Sequence, residues 1–183
     1  MQDMVHKSRQ NFEKIRLKKG EICVNLETFL DNIPQEKGTY LLLVKVKDNP
    51  IIHVSKKIWM FEKGIYAYIG SARNTGGLRA RIGRHLKQDK KLYWHIDYLL
   101  ENSYVEIIGT IFTTSKKNLE CEVVKTLIKE GTETPYAKRF GSSDCKKGCP
   151  SHIIKLSTNT NPVKIKEILS SKFRQKTFFI TVF

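Results

Sequence analysis

The order of strand-like and helix-like segments along the chain is the feature that most limits its fold. Helical patterns follow the first strands, at 78–87, 93–100 and 118–130. We therefore predict an α+β fold with a small central antiparallel sheet flanked by helices. Runs rich in β-branched and aromatic residues predict strands at 39–46, 51–54, 57–61, 65–69, 105–112 and 151–156.

The two ends of the chain are more basic than its centre. We predict a basic N-terminal arm and a short helix over residues 1–35, one domain over 36–156, and a basic tail over 157–183. The longest strongly apolar stretch, residues 40–44, is far too short to span a bilayer, and the N-terminus does not resemble a secretory signal. We expect a monomeric cytoplasmic protein with no membrane segment.

The charge of the chain indicates a polyanionic partner. Its 33 Lys and Arg residues outnumber its 18 Asp and Glu residues, for a net charge of +15. Such a surplus creates positive potential over much of a small domain. Nucleic acid is the leading candidate because lysine and arginine bind phosphates with counterion release. A membrane surface is a weaker candidate, and a role of the charge in solubility alone stays open.

Two tyrosines are predicted to lie near each other on neighbouring strands. Strand alternation places Tyr40 on one face with Leu42 and Val44, and it places Tyr66 and Tyr68 opposite Ile65 and Ile69. Tyr40 and Tyr68 could therefore approach each other. Simple packing in the sheet explains such tyrosines equally well.

The helix predicted at 78–87 carries basic residues beside its apolar stripe. Leu78, Ile82 and Leu86 recur every four residues, and Arg81 and His85 lie along the edge of that stripe. The preceding Gly76–Gly77 pair suggests a phosphate cradle at the helix start. Arg79, Arg84 and Lys87 are predicted to point further out. The residues predicted to bind a nucleic-acid backbone are Arg73, Arg79, Arg84, Lys87, Lys90 and Lys91.

Glu120 falls near the middle of the apolar face of the helix predicted at 118–130. A carboxylate aimed at a core is costly unless it is paired, protonated or bound to a cation. Glu120 is therefore a candidate metal ligand or catalytic group. An ion pair with Arg81, or a helix end that lies further from the core, are the alternatives.

The four cysteines are Cys23, Cys121, Cys145 and Cys149. They are too few and too unevenly spaced for a secreted disulfide scaffold. Cys145, Cys149 and His152 lie within eight positions and could supply three zinc ligands, with Cys121 or His95 as the fourth. Buried structural thiols are the competing interpretation.

Four ordered blocks of the sequence resemble the GIY-YIG nuclease superfamily. They are Gly38-Thr-Tyr40, Tyr68-Ile-Gly70-Ser-Ala72, Arg81 with Arg84-His85, and Leu119-Glu120. The sequences around Trp94-His-Ile-Asp97 and from Cys145 to His152 are similar to those of a mainly archaeal, uncharacterised subfamily whose members are sometimes fused to endonuclease III. The resemblance covers about residues 36–156.

The resemblance implies a role for each matching residue. Tyr40 would be a general base near the attacking water, with Tyr68 beside it. Arg81 would stabilise charge on the phosphoryl group, and His85 would assist in positioning or proton transfer. Glu120 would hold one divalent cation, Mg²⁺ or Mn²⁺.

The chain departs from the superfamily pattern at two places. Thr39 replaces the usual isoleucine, and the segment between the motif tyrosines is longer than usual. We interpret residues 47–63 as an inserted hairpin.

These features predict a metal-dependent endonuclease acting on DNA, with RNA not excluded. A structure-directed substrate and a link to DNA repair follow from the resemblance. The alternatives are a nucleic-acid-binding module, or a partner of a repair enzyme without its own cleavage activity.

Overall fold

The computed structural model describes residues 26–130, 137–174 and 178–182. The basic arm at 1–25, with Cys23, lies outside the described residues. The described helices and strands are α1 (Leu26–Asp31), β1 (Gly38–Val46), β2 (Ile51–Val54), β3 (Lys57–Met60), β4 (Gly64–Ala72), α2 (Gly77–Leu86), α3 (His95–Leu100), β5 (Val105–Thr114), α4 (Glu120–Lys129), β6 (Ile153–Lys155), α5 (Pro162–Lys172) and β7 (Phe179–Val182).

Five strands form one antiparallel sheet in the order β6-β4-β1-β5-β7. This confirms the predicted α+β fold with a central antiparallel sheet flanked by helices. Strands β2 and β3 pair only with each other, from Ile51 opposite Met60 to Val54 opposite Lys57. The predicted inserted hairpin between the two motif strands is therefore confirmed.

Strand β1 lies at the centre of the sheet and is buried on both faces. Tyr40, Leu42 and Val44 pack in one apolar cluster, which includes the α2 residues Leu78 and Ile82. Leu41 and Leu43 project into a second cluster on the other face, formed largely with α4 and α5. The alternation expected from the sequence is confirmed, and it produces a three-layer arrangement with α2 and α4 on opposite faces.

The described part of the C-terminal segment is not a basic tail, so that prediction is wrong. Helix α5 buries Ile165 and Leu169 completely in the second cluster. Strand β7 then pairs with the edge of β5, where Phe179 is opposite Phe112. Lysines lie between the apolar residues of this short helix in the sequence, so its buried face is recognised only from its packing against the sheet. The domain also begins before residue 36, because Ile33 is buried against α2.

The described residues contain no helix that is both long enough and apolar enough to cross a bilayer.

The two glycines before α2 serve the backbone and do not form the predicted phosphate cradle. Gly76 and Gly77 have φ of 81° and 52°, which favour glycine. The amide N–H groups of Leu78 and Arg79 donate to the carbonyls of Glu36 and Pro34. Because these first-turn donors are already used, the prediction of a phosphate cradle is wrong.

Replacing Gly77 should destabilise the domain strongly. A Cβ atom there would lie 2.0 Å from the Gln35 carbonyl oxygen and would sit on a left-handed residue. We expect Gly77→Ala to lower the free energy of unfolding by about 2 to 4 kcal/mol, measured by urea denaturation. Gly148 is the matched control, since its φ is 70° and nothing lies within 4 Å of an added Cβ. Gly148→Ala should cost only about 1 kcal/mol, and equal losses would contradict the steric argument.

Candidate functional site

The candidate site begins at the edge where β1 starts and β4 ends. Tyr40 is the third residue of β1 and lies directly opposite Gly70 of β4. A Cβ atom at Gly70 would meet the Tyr40 hydroxyl and ring at 2.5 Å. The glycine is therefore required because the phenol lies across its backbone.

The Tyr40 hydroxyl contacts the Nε2 atom of His85 at 2.8 Å, and both side chains are buried. Burial lowers the pKa of His85 to about 3, although the nearby Asp97 charge opposes this shift. Burial also raises the pKa of Tyr40, helped by Tyr68 and opposed by the Arg81 charge. The imidazole is therefore neutral and the phenol protonated at neutral pH. Asp97 lies 3.8 Å from Nδ1, which favours the tautomer with the ring proton on Nδ1, and in that tautomer Tyr40 donates to Nε2.

Tyr68 lies on the same face as Tyr40, with its ring centroid 6.2 Å from that of His85. The predicted approach of the two tyrosines is confirmed. Burial raises the pKa of Tyr68, and the negative charge of Glu120 raises it further. Both phenols are therefore neutral. The positive charge of Arg81 opposes these shifts, because it lowers the pKa of each phenol.

Trp94 supports the cationic side of the site. The guanidinium carbon of Arg81 lies 4.2 Å from the Trp94 ring centroid, and that of Arg84 lies 4.0 Å away. The Trp94 ring also packs 5.6 Å from the His85 ring. Cations at such distances over an indole ring are attracted by its quadrupole. Trp94 therefore fixes the position of Arg81 relative to His85.

Asp97 is fully buried and holds this group together. Its carboxylate accepts two 2.9 Å hydrogen bonds from Arg84 and two more from the backbone N–H groups of Tyr93 and Trp94. Burial tends to raise the pKa of Asp97, but the hydrogen bonds from Arg84 and from the two backbone groups outweigh it and lower the pKa. The prediction that Arg84 points outward to bind a backbone is wrong, because its guanidinium is paired with this carboxylate.

Removing the Asp97 charge should destabilise the domain. In Asp97→Asn an amide N–H₂ would face either the Arg84 donors or the backbone donors, which leaves buried donors unpaired. We expect the free energy of unfolding to fall by about 3 to 5 kcal/mol at pH 7 in urea denaturation. Asp89→Asn changes an exposed aspartate nearby and should have almost no effect. A similar small effect of both variants would contradict the assigned role of Asp97.

Glu120 does not point into the core, which corrects the sequence prediction. It is the first residue of α4 and is half-buried, because the helix begins where the sheet ends. Its carboxylate accepts a 3.0 Å hydrogen bond from the Asn118 side chain and forms no ion pair with Arg81 within the described residues. Its charge nevertheless acts on Tyr40 and Tyr68. Glu120 thus faces the tyrosines from the far side of the sheet edge.

Three more of the predicted phosphate-binding residues hold the protein's own backbone. Arg73 donates to the carbonyls of the 115–117 turn, and Arg79 donates to the Ile33 carbonyl and approaches Asp31. Lys90 donates to the carbonyls of His85 and Lys87 at the end of α2. Burial lowers the pKa values of Arg73 and Lys90. Lys87 and Lys91 are the exposed members of the predicted set.

A basic groove that the sequence did not indicate includes Leu119, the residue before Glu120, in its lining. Its volume is about 1000 Å³, and its lining also contains one acidic residue, Glu36. Its cationic residues come from three distant parts of the chain and converge only on folding. They are Lys37, Lys116, Lys117, Lys172 and Arg174.

Three thiols and one imidazole converge at the start of α4. The ligand atoms of this group lie within 4.8 Å of one another, and the group could hold a metal ion. The structure therefore brings Cys121, and not His95, to the predicted set of Cys145, Cys149 and His152. His95 instead packs edge-on against Trp59 at 5.2 Å and lies near Phe140.

A family model described as "Domain of unknown function DUF123" matches residues 39–175. The chain belongs to the DUF123 family. No match was found among curated proteins or among solved structures. The DUF123 match runs from the start of β1 past the end of α5, and so it includes the tyrosine pair, the Trp94 group, Glu120 and the thiol cluster.

Asp97 and Trp94, which support the site in this DUF123 domain, have a signal in the sequence although the sequence analysis assigns them no role in the site. Asp97 interrupts the apolar run Ile96 to Leu100, and a carboxylate there must be paired once the helix is buried. Trp94 precedes it at the helix start. No comparable sequence signal exists for the basic groove, because its lysines are far apart in the chain.

Proposed function

We propose that the protein is a metal-dependent endonuclease that hydrolyses phosphodiester bonds in DNA. The observation that carries this proposal is the buried 2.8 Å contact between Tyr40 and His85, with Tyr68 adjacent. The charges of Arg81 and Glu120 both act on this pair of phenols. These are the residues to which the GIY-YIG resemblance gives catalytic roles.

Glu120 is suited to binding a Mg²⁺ or Mn²⁺ ion. Its carboxylate is half-exposed and its one side-chain partner is the amide of Asn118, so oxygen lone pairs remain available. Mg²⁺ commonly takes one or two carboxylates and keeps water and substrate phosphate as its other ligands. When bound, such an ion supplies stabilisation of negative charge on the phosphoryl group.

Hydrolysis joins a water oxygen to phosphorus and breaks the bond from phosphorus to the leaving oxygen, which takes up a proton from solvent. Arg81 would offset the charge on the phosphoryl oxygens, and its contact with Trp94 keeps it in place. Tyr40 would orient the water and receive its proton. Because burial raises the Tyr40 pKa, the phenol can accept that proton only as it passes its own proton to His85.

The neutral state of His85 supports this transfer. In the free protein its Nε2 atom lies 2.8 Å from the Tyr40 hydroxyl, and with the ring proton on Nδ1 it accepts a hydrogen bond from that hydroxyl. A phosphodiester entering the site brings negative charge, which favours the protonated imidazole and raises its pKa from the resting value of about 3. Asp97, whose Oδ1 atom lies 3.8 Å from Nδ1, stabilises the same protonated form.

DNA binding is supported by the basic groove and by the net charge of +15. One of its lining residues is Leu119, which directly precedes Glu120 in the chain. Lysine contacts with phosphates add affinity without reading sequence. We therefore propose that the enzyme recognises DNA structure and not base sequence. The resemblance to proteins fused to endonuclease III supports a role in DNA repair.

The catalytic assignment is tested with labelled single-stranded, duplex, flap and branched DNA, and with RNA, in Mg²⁺ or Mn²⁺. Glu120→Gln and Arg81→Lys should each slow cleavage roughly 10²- to 10³-fold, because each removes a group that stabilises the transition state. The rates are measured under single-turnover conditions, with folding checked by circular dichroism.

Glu122→Gln is the matched control. Glu122 lies two positions further along α4, where it pairs with Lys147 at the surface, and its removal should leave the cleavage rate unchanged. Salt-sensitive DNA binding without cleavage by the wild-type protein would refute the enzyme proposal. That outcome would favour the alternative of a binding module or a partner of a repair enzyme.

The groove assignment predicts a specific change in salt dependence. The double variant Lys116→Ala with Lys117→Ala should bind DNA more weakly at low salt. The slope of log K against log salt should fall by about 0.9 for each lysine that contacts a phosphate, measured by fluorescence anisotropy. Lys56→Ala, in the exposed turn between β2 and β3, is the control. An equal change in the control would mean that the contacts are spread over the surface.

A further inference from the structure

We propose that the thiol cluster is a structural zinc site, separate from the proposed cation site at Glu120. Three thiols and one imidazole from two parts of the chain would bind a single Zn²⁺ ion. The ligands are Cys121 from α4, and Cys145, Cys149 and His152 from the 137–152 loop, which ends just before β6.

The spacing of the ligand atoms fits one ion. A tetrahedral site with Zn–S bonds of about 2.3 Å places neighbouring sulfurs about 3.8 Å apart. The four ligand atoms all lie within 4.8 Å of one another, and the sulfurs of Cys121 and Cys145 are 3.4 Å apart. Three cysteines and one histidine are a common closed set of ligands for structural zinc.

The histidine gives a second, independent indication of a ligand. The Nε2 atom of His152 is buried and has no hydrogen-bond partner among the described residues, while the side chain is only 5% exposed. The His152 side chain also makes a hydrogen bond to the backbone of Gly141. Metal-binding histidines commonly anchor one ring nitrogen on a carbonyl and present the other to the metal. This unpartnered Nε2 atom belongs to the imidazole whose ligand atom lies within 4.8 Å of the three sulfurs.

The part of the loop that supplies Cys145 and Cys149 buries little apolar surface, although Phe140 earlier in the loop packs in the first cluster. The described residues 137–152 contain no helix or strand, and most side chains from 143 to 150 are exposed. Yet Cys149, near the end of this polar stretch, is 2% exposed. A metal bond explains why a thiol is buried there, because metal coordination stabilises segments that bury little apolar surface.

The zinc site would also position the proposed catalytic carboxylate. Cys121 directly follows Glu120, so a bond from Cys121 to zinc fixes the first turn of α4 against the loop and β6. The Gly141 backbone packs between His152 and the Tyr68 ring, and this links the cluster to the tyrosine side of the site. On binding, each of the three thiols releases one proton to solvent and the imidazole binds as the neutral ring.

The proposal is tested on the full chain, purified without a metal-affinity tag and without chelators. Inductively coupled plasma mass spectrometry should find one zinc per chain. Cys149→Ser and His152→Asn should lower the zinc content several-fold or abolish it, whereas Cys23→Ser, at the cysteine that is not one of the proposed ligands, should retain one zinc per chain. Replacement of zinc by Co²⁺ in the wild-type protein should give the intense absorption of a tetrahedral thiolate site.

These measurements do not depend on cleavage, so they stand whether or not the endonuclease proposal holds. The Co²⁺ spectrum and the metal content of the wild-type protein decide the case even if a cluster variant fails to fold. Metal-free wild-type protein that gives no tetrahedral Co²⁺ spectrum would overturn the proposal. So would a disulfide between Cys121 and Cys145 in peptide mapping, or iron with acid-labile sulfide in place of zinc.

Discussion

The burial of the β1–β4 strand pair on both faces is the constraint on which the rest of the structure depends. Since Leu41 and Leu42 project into opposite apolar clusters, one layer of helices must cover each face. Polar groups on these strands can then meet solvent only at the strand ends. Antiparallel pairing brings the start of β1 and the end of β4 to the same edge, and Tyr40 therefore lies over Gly70 there.

The two helical layers supply different chemistry to that edge. Helix α2 contributes His85 and Arg81 from the face that carries the tyrosines, while α4 starts at the edge from the other face and contributes Glu120. The buried Asp97 carboxylate holds the charged Arg84 side chain in place through two hydrogen bonds. It also accepts a hydrogen bond from the backbone N–H of Trp94 and so stabilises the turn that carries this residue. The charges of Arg81 and Glu120 thus both act on the tyrosines beside the neutral imidazole, and the proposed phosphodiester hydrolysis relies on this arrangement.

Residues close in sequence were predicted well because their geometry follows from local periodicity. The faces of β1 and β4, the apolar stripe of α2 and the inserted hairpin all came from patterns within one element or one turn. Errors arose where a partner lies far away in the chain. Arg84 was predicted to be a surface residue because its partner, Asp97, is on another helix. The Gly76–Gly77 pair was predicted to form a phosphate cradle because the sequence does not show that the carbonyls of residues 34 and 36 accept the hydrogen bonds of the first turn of α2.

The sequence by itself determined the α+β class, the two faces of the central strands and the set of residues that resemble a nuclease motif. Alternation in strands and helical spacing show this in the sequence, because an element with one buried face must place apolar residues at each position on that face. Only the tertiary structure decided that Glu120 lies half-exposed at the sheet edge, that the fourth ligand-bearing residue of the thiol cluster is Cys121, and that α5 and β7 complete the domain. These facts depend on where separate elements end relative to one another. Those positions are set by long-range packing, which produces no periodic pattern in the sequence.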